Sequence, residues 1–349
     1  DQKIVSRQKK AQAVVINSGI ANACTGKEGY DNCRKEAETM AALLQIAPEQ
    51  VLVCSTGVIG AQLNMEVIQE GIHLLAEAKE SSAQAAEAAA EAILTTDTHK
   101  KEYAVTCEIG GKTVTIGGMC KGSGMIHPNM GTMLAFVTSD VSIEQPLLQQ
   151  MLKEEVEDTF NMVSVDGDTS TNDTCLVLCN GMAENERLTE ESGELPVFRK
   201  ALREVLTYLA KQIAGDGEGC TRLFEVICCG AATREEAKII SKSVVCSSLT
   251  KAAVFGKDAN WGRILCAMGY SGATFDPEKV DITLESERGS LSIVKEGIAT
   301  DYSETYATEI LSANPVRAIV DLHQGEEKAA AWGCDLTYEY VKINADYRS

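Results

Sequence analysis

Residues 121–136 read KGSGMIHPNMGTMLAF, and the fold turns on how this stretch is taken. Lys121, two glycines, a serine, His127, Pro128 and Asn129 precede an apolar, strand-like run, Thr132 to Thr138. A loop of this kind delivers a hydroxyl to the mouth of a buried strand. One reading is a glycine-rich loop entering a core strand. The other is a self-cleaving junction at Gly131–Thr132. Glycine tolerates distorted backbone angles. A strained peptide bond can be attacked by the following hydroxyl, giving an ester that water opens. The product would start at Thr132, whose α-amine, with an unperturbed pKa near ~8, can serve as base for its own hydroxyl.

Working outward, short apolar strands alternate with helical stretches. Strands are expected at Gln12–Asn17, Val51–Cys54, Tyr103–Ile109 and Lys112–Ile116, the last two around the Gly110-Gly111 turn. Gly117 to Gly124 reads as a loop. Further strands are expected at Thr174–Cys179, Leu223–Cys229, Asp281–Leu284, Leu291–Val294, Arg317–Leu322 and Leu336–Asn344. Helices are expected at Tyr30–Ile46, Met65–Ile93, Gln145–Phe160, Pro196–Ala214, Arg234–Ser248 and Thr305–Ser312. Proline suits the first position of the fourth of these. This mixture implies an α/β class, with sheets covered by helices.

Composition narrows the function. The 349 residues carry a net charge of −19, with a pI near 4.7. A nucleic-acid binder needs a basic surface to release counterions, and anionic membranes attract basic segments, so neither partner is expected. No run of 18 apolar residues occurs. The 13 cysteines are odd in number, lack any CxxC pair and sit mostly in apolar runs such as those of Cys54, Cys175, Cys179 and Cys266, which suits reduced thiols in the cytoplasm. The four histidines, His73, His99, His127 and His323, show no metal-ligand spacing, so no metal site is expected.

Four further segments accompany the first: NSGIANACTG at 17–26, STGVIG at 55–60, DANWGRIL at 258–265 and the terminal YVKINADYRS. In this order they resemble the ornithine acetyltransferase family, also called glutamate N-acetyltransferase or ArgJ, over essentially the whole chain. The resemblance implies an α-β-β-α-like layered sandwich of N-terminal-nucleophile type. It implies a precursor cut before Thr132 into an α chain (1–131) and a β chain (132–349), pairing to a heterotetramer. The family often has Ala before the cut, where this chain has the more permissive Gly131. Family precursors also extend further before the first strand, so the α portion is expected to be incomplete.

The resemblance assigns roles residue by residue. Thr132 matches the nucleophile, and Thr56 and Gly57 match the oxyanion hole, a hydroxyl and a backbone N–H after a strand. Thr95, Lys121, Glu218, Asn344 and Ser349 match substrate-binding positions, with Glu218 the one most exposed to a register slip. A cation at Lys121 suits an α-carboxylate. The implied reaction is ping-pong transfer of acetyl from N-acetylornithine to glutamate through an acetyl-Thr132 ester, in arginine biosynthesis, with no organic cofactor and with acetyl-CoA open as a co-substrate. Two rivals remain: an amidase or aminopeptidase in which water replaces glutamate, and a binding protein that never cleaves. Asp166–Asp173 and Asp258–Arg263 are conspicuous without an assigned role. The first is dense enough in carboxylates to bind a metal but lacks the EF-hand pattern, and reads rather as a polar turn network near the site. The second starts a helix and places Asn260 or Arg263 either by the ligand or in a structural cap.

Overall fold

A computed structural model describes residues 1–6, 10–128 and 133–346. Gly131, Thr132 and Ser349, three of the candidate site residues, lie outside the described residues.

In chain order the first elements are α1 (Gln2–Val5), β1 (Ala13–Asn17), α2 (Gly26–Leu44), β2 (Val51–Ser55), α3 (Met65–Ala78) and α4 (Ala83–Ala92). Strands β1 and β2 pair in parallel and α2 covers them, with α3 packed on α2 and contributing Ile72 to the same small core. Next come β3 (Lys101–Ile109), β4 (Lys112–Lys121), β5 (Leu134–Ser139), α5 (Gln145–Glu157), β6 (Val163–Ser164) and β7 (Thr174–Cys179). Strands β3-β4-β5-β7 form a mixed four-stranded sheet. The rest is α6 (Leu195–Gly215), β8 (Leu223–Ala231), α7 (Arg234–Cys246), α8 (Ser248–Gly256), α9 (Trp261–Gly269), β9 (Asp281–Ser286), β10 (Gly289–Lys295), β11 (Ile298–Ala299), α10 (Glu304–Ile310), β12 (Val316–Asp321), β13 (Glu327–Cys334) and α11 (Tyr338–Asp346). Here the sheet order is β11-β10-β9-β12-β8-β13-β6.

The α/β class with mixed, helix-covered sheets is as expected. Helix α6 touches both the four-stranded sheet, at β3 and β4, and the seven-stranded sheet, at β13 and β8, while α7 covers β8 and β13. Its apolar stripe, including Phe198, Leu202, Val205, Leu206 and Leu209, is fully buried and contributes roughly 1.5–3 kcal/mol per large side chain. A separate small cluster, Cys54, Ile93, Leu134 and Phe136, joins the β1-β2 layer to the four-stranded sheet. That seam carries the site.

Some expectations are corrected. Met65–Ile93 is two helices, because Ser82 caps a new one by accepting the Ala85 N–H. Gly117 to Lys121 is not loop but the end of β4. A Cβ on Gly118 would press to 3.0 Å against Leu209 and Val137, so glycine there allows α6 to sit close. The span 336–344 is not a strand. It lies mostly in α11, whose Tyr338 and Val341 are exposed, so its apolar alternation reflects no buried face. Strand β13 was not anticipated, since Ala329-Ala330-Ala331 carries little β signal. Cys266 is exposed, contrary to its apolar setting. No single helix among the described residues is long and apolar enough to cross a membrane.

Candidate active site

The site is assembled from the ends of elements. Strand β2 stops at Ser55, and the next two residues turn sharply. Gly57 has φ +125°, and a side chain there would run into the Gly19 carbonyl and, at 2.7 Å, the Ile20 nitrogen. The turn is clamped by Thr56 N–H donating to Asn17 O (3.1 Å) and Val58 N–H donating to Gly19 O (3.0 Å). Among the described residues the Thr56 hydroxyl and the Gly57 N–H have no hydrogen-bond partner, and both residues line a cavity of about 170 Å³. Two adjacent unspent donors are what a developing oxyanion needs.

The opposite wall is charged. Lys121, at the end of β4, is 7% exposed and donates to Thr95 Oγ1 at 2.7 Å. Its pKa is lowered by burial, with the Asp97 carboxylate opposing that shift. Glu218 is 8% exposed, so it is not a solvated loop residue. Its N–H donates to Ser123 O at 2.9 Å, and its Oε2 accepts the Asn344 Nδ2–H at 2.7 Å. Thr56, Gly57, Thr95, Lys121, Glu218 and Asn344 thus all line one cavity. Met133, the first described residue after the junction, lines it too.

Helix α11 explains how Asn344 reaches Glu218. Tyr340 and Asn344 are one turn apart and share a face. The Tyr340 hydroxyl donates to Asp166 Oδ2 (3.3 Å) while Asn344 serves Glu218. Asp166 also accepts the Met125 and Ile126 N–H groups, at 2.7 and 2.9 Å. The acidic segment is therefore a turn network that shapes the loop before the junction. Asn260, by contrast, caps α9 by accepting the Arg263 N–H at 3.2 Å and does not reach the cavity lining.

The sequence left several lining residues without a role. Ser170, Thr171, Asn172 and Asp173 border the cavity. Asn172 donates to Ser55 Oγ (3.2 Å), which in turn accepts the Asn22 N–H (2.8 Å), tying this segment to the NSGIANACTG loop. Among the described residues, Asp173 Oδ2 is buried without a partner. Burial pushes its carboxyl up to about 7, against the Met133 N–H and the Lys121 charge. The carboxylate density at 166–173 was visible in the sequence, but its facing direction was not. His127 lies on the loop before the junction, bonded through Nδ1 to Ser164 Oγ at 3.0 Å, and burial pushes its ring down to about 4. It is therefore neutral at pH 7.

A sequence profile of the ArgJ family matches residues 1–349. The arginine biosynthesis bifunctional protein of Caldanaerobacter subterraneus subsp. tengcongensis is 49% identical over 344 residues, covering 99% of this chain and 85% of its own length. That of Symbiobacterium thermophilum is 52% identical over 338 residues, covering 97% of this chain and 83% of its own. A crystal structure of the protein of the same name from Bacillus halodurans is 48% identical, with a TM-score of 0.58, and spans 61% of this chain and 98% of its own.

Proposed function

The chain belongs to the ArgJ family, and from that premise we propose that it is a self-processed acetyltransferase of arginine biosynthesis, working in the cytoplasm. The observation that carries the proposal is the pairing, across one small cavity, of two unspent donors at Thr56 and Gly57 with Lys121 and Glu218. Met133 brings the chain that follows Thr132 to the same place.

In the first reaction the Thr132 hydroxyl attacks the Gly131 carbonyl, and the acyl group moves from nitrogen to oxygen. Water then opens the ester, leaving a Gly131 carboxylate and a free Thr132 amine. A cut there would fall between β4 and β5, which pair directly, Lys121 opposite Leu134. The two chains, 1–131 and 132–349, would then stay joined by an intact sheet as an αβ unit that pairs into a heterotetramer.

In the transfer reaction the Thr132 hydroxyl attacks the acetyl carbonyl of N-acetylornithine. Its own amine takes the proton and passes it to the departing ornithine nitrogen. Thr56 and Gly57 hold the oxyanion. The amine of glutamate then attacks the acetyl-Thr132 ester and leaves as N-acetylglutamate. Lys121, with Thr95, takes the substrate carboxylate, and Glu218, steadied by Asn344, takes an ammonium. Ser349 is assigned to the same binding role. Acetyl-CoA is the second acetyl donor to be tested, and no organic cofactor is called for.

The test is mass identification of a new N-terminus at Thr132, together with acetyl transfer from N-acetylornithine to glutamate. Thr132→Ala should give one uncut, inactive chain. Acetate release that is indifferent to glutamate would identify a hydrolase. A wild-type chain that stays whole and transfers nothing would sink the enzyme reading.

A further inference from the structure

Directly behind the charged wall lies a buried ion cluster that the reaction above does not use. Asp97 has a fully buried side chain. Its Oδ1 accepts from Lys101 Nζ (2.6 Å) and from the Gly122 N–H (2.6 Å). Its Oδ2 accepts the Thr95 N–H (3.2 Å) and stands 3.7 Å from Lys121 Nζ. Lys101, also fully buried, reaches on to Asp216 Oδ2 at 2.5 Å. Asp216 in turn accepts the Thr98 N–H at 3.0 Å and lies two residues before Glu218. One acid therefore touches the backbone or side chain of both Thr95 and Lys121, and one further ion pair reaches the segment of Glu218.

We propose that Asp97 is the positioning residue of the cavity. It aims Lys121 and Thr95 at the substrate carboxylate and, through Lys101 and Asp216, locks them to the segment that carries Glu218. This rests on the acetyltransferase reading. A buried cation needs a partner to remain charged, and two cations this close need two acids. The charges balance: Asp97 and Asp216 against Lys101 and Lys121. Burial pushes the Asp97 carboxyl up, but the ammoniums of Lys121 and Lys101 and the Gly122 N–H outweigh it and hold it below the usual carboxylate range. For Lys121 burial is the main lowering influence. Asp97 opposes it most strongly, Lys101 adds to it, and Glu218 opposes it more weakly. Asp173, across the cavity, also feels the Lys121 charge.

The sign of the test follows. Asp97→Asn removes the strongest influence keeping Lys121 protonated, so Lys121 should lose its proton at lower pH. An opposite charge at this range moves a pKa by about one to three pH units. With the wild-type and variant proteins as expressed, kcat/KM for N-acetylornithine is measured against pH. In parallel, trace labelling with isotopic acetic anhydride, read at Lys121 by mass spectrometry, follows that amine without turnover. In Asp97→Asn the basic limb and the Lys121 labelling midpoint should both move to lower pH by one unit or more. Asp97→Glu should restore most of the position.

Should Asp97→Asn fail to fold, Asp97→Asn/Lys101→Met removes one of the two cations and so restores the charge balance of the cluster, leaving Lys121 and Asp216. Because Asp97 outweighs Lys101, its pH limb should still sit below the wild-type value. A wild-type pH limb and labelling midpoint in whichever variant folds would overturn the proposal and leave Asp97 a purely structural ion. A wild-type protein that transfers no acetyl group fails the acetyltransferase reading instead, and the labelling arm still decides the role of Asp97.

Discussion

Asp173→Asn, made in the uncut Thr132→Ala chain, should gain stability relative to its parent as pH rises from 5 to 8. The side chain has one buried oxygen without a partner among the described residues, and a carboxyl pushed by burial from 3.8 up to about 7. Between these values the unfolded chain has lost the proton and the folded chain has kept it. The folded state then binds more protons, so stability falls as pH rises, by about 1.4 kcal/mol per pH unit. From pH 5 to pH 8 this one group should cost the wild-type side chain about 2.5–3 kcal/mol. Asparagine has no such slope. It leaves a buried amide N–H unpaired, at a pH-independent cost of about 1–3 kcal/mol. Because the unfolded carboxyl is already mostly ionised at pH 5, the variant should lie within about 1.5 kcal/mol of its parent there and be more stable by about 1–3 kcal/mol at pH 8.

For a chain of this length 1 kcal/mol corresponds to about 1–2 °C, so the Tm difference between variant and parent should swing by about 3–5 °C across that range. Scanning calorimetry of both proteins at each pH reads this directly. Other groups, including the likewise perturbed Glu36, are common to both and cancel. The uncut background matters, since cleavage would free an amine one residue from Met133, whose N–H this carboxyl accepts. A Tm difference that is the same at pH 5 and pH 8 would refute the reasoning.

Gly57→Ala should lower kcat by about 10²–10³, because its Cβ collides with backbone at Gly19 and Ile20 and moves an oxyanion donor; steady-state kinetics on folded protein checks it. Gly124→Ala puts a Cβ within 2.5 Å of Glu218 Oε2, so it should raise KM for N-acetylornithine about tenfold or more while leaving cleavage at Thr132 intact, read by kinetics and intact mass. Glu36 on α2 is 1% exposed, has no partner for either oxygen among the described residues and is pushed by burial up to about 7. Being raised, it costs stability as pH climbs from 4.5 through 7, so Glu36→Leu should gain about 3 kcal/mol at pH 8 and much less at pH 5, as denaturant melts at the two pH values would show.

What could be read in advance divides along a physical line. Elements with a single buried face announced themselves: α6, whose stripe fills the space between the sheets, was placed to within one residue at each end. Elements whose pattern came from something other than burial did not. Gly117 and Gly118 read as loop because glycine is permissive, yet their missing side chains are what lets α6 pack on β4. Leu336, Tyr338 and Tyr340 alternate like a strand, yet Tyr338, with Val341, faces outward from a helix. For the site, the matched segments supplied Thr56, Gly57, Thr95, Lys121, Glu218 and Asn344, and these do converge. Asp97 sits in the same Thr95–Thr98 segment, but nothing local distinguishes a fully buried acid from a turn acid.

The convergence has a structural reason that no local pattern expresses. Most of the site residues stand at or just beyond the end of an element: Thr56 after β2, Thr95 after α4, Lys121 closing β4, Asp173 before β7 and Glu218 after α6, with Asn344 in the last turn of α11. Element ends supply unspent backbone donors and free side-chain directions, and here they meet where the small β1-β2 layer joins the four-stranded sheet. That seam buries fewer apolar side chains than the α6 core, and polar contacts also hold its geometry. The Asp97–Lys101–Asp216 chain, the Asn172–Ser55–Asn22 chain and the Asp166 turn network are those contacts. Among these contacts, Lys101 to Asp216, Asn172 to Ser55, and the Met125 and Ile126 N–H groups to Asp166 each join a segment before residue 129 to one after residue 132. After the proposed cut at Gly131–Thr132 they would still hold the two sides of the cavity together.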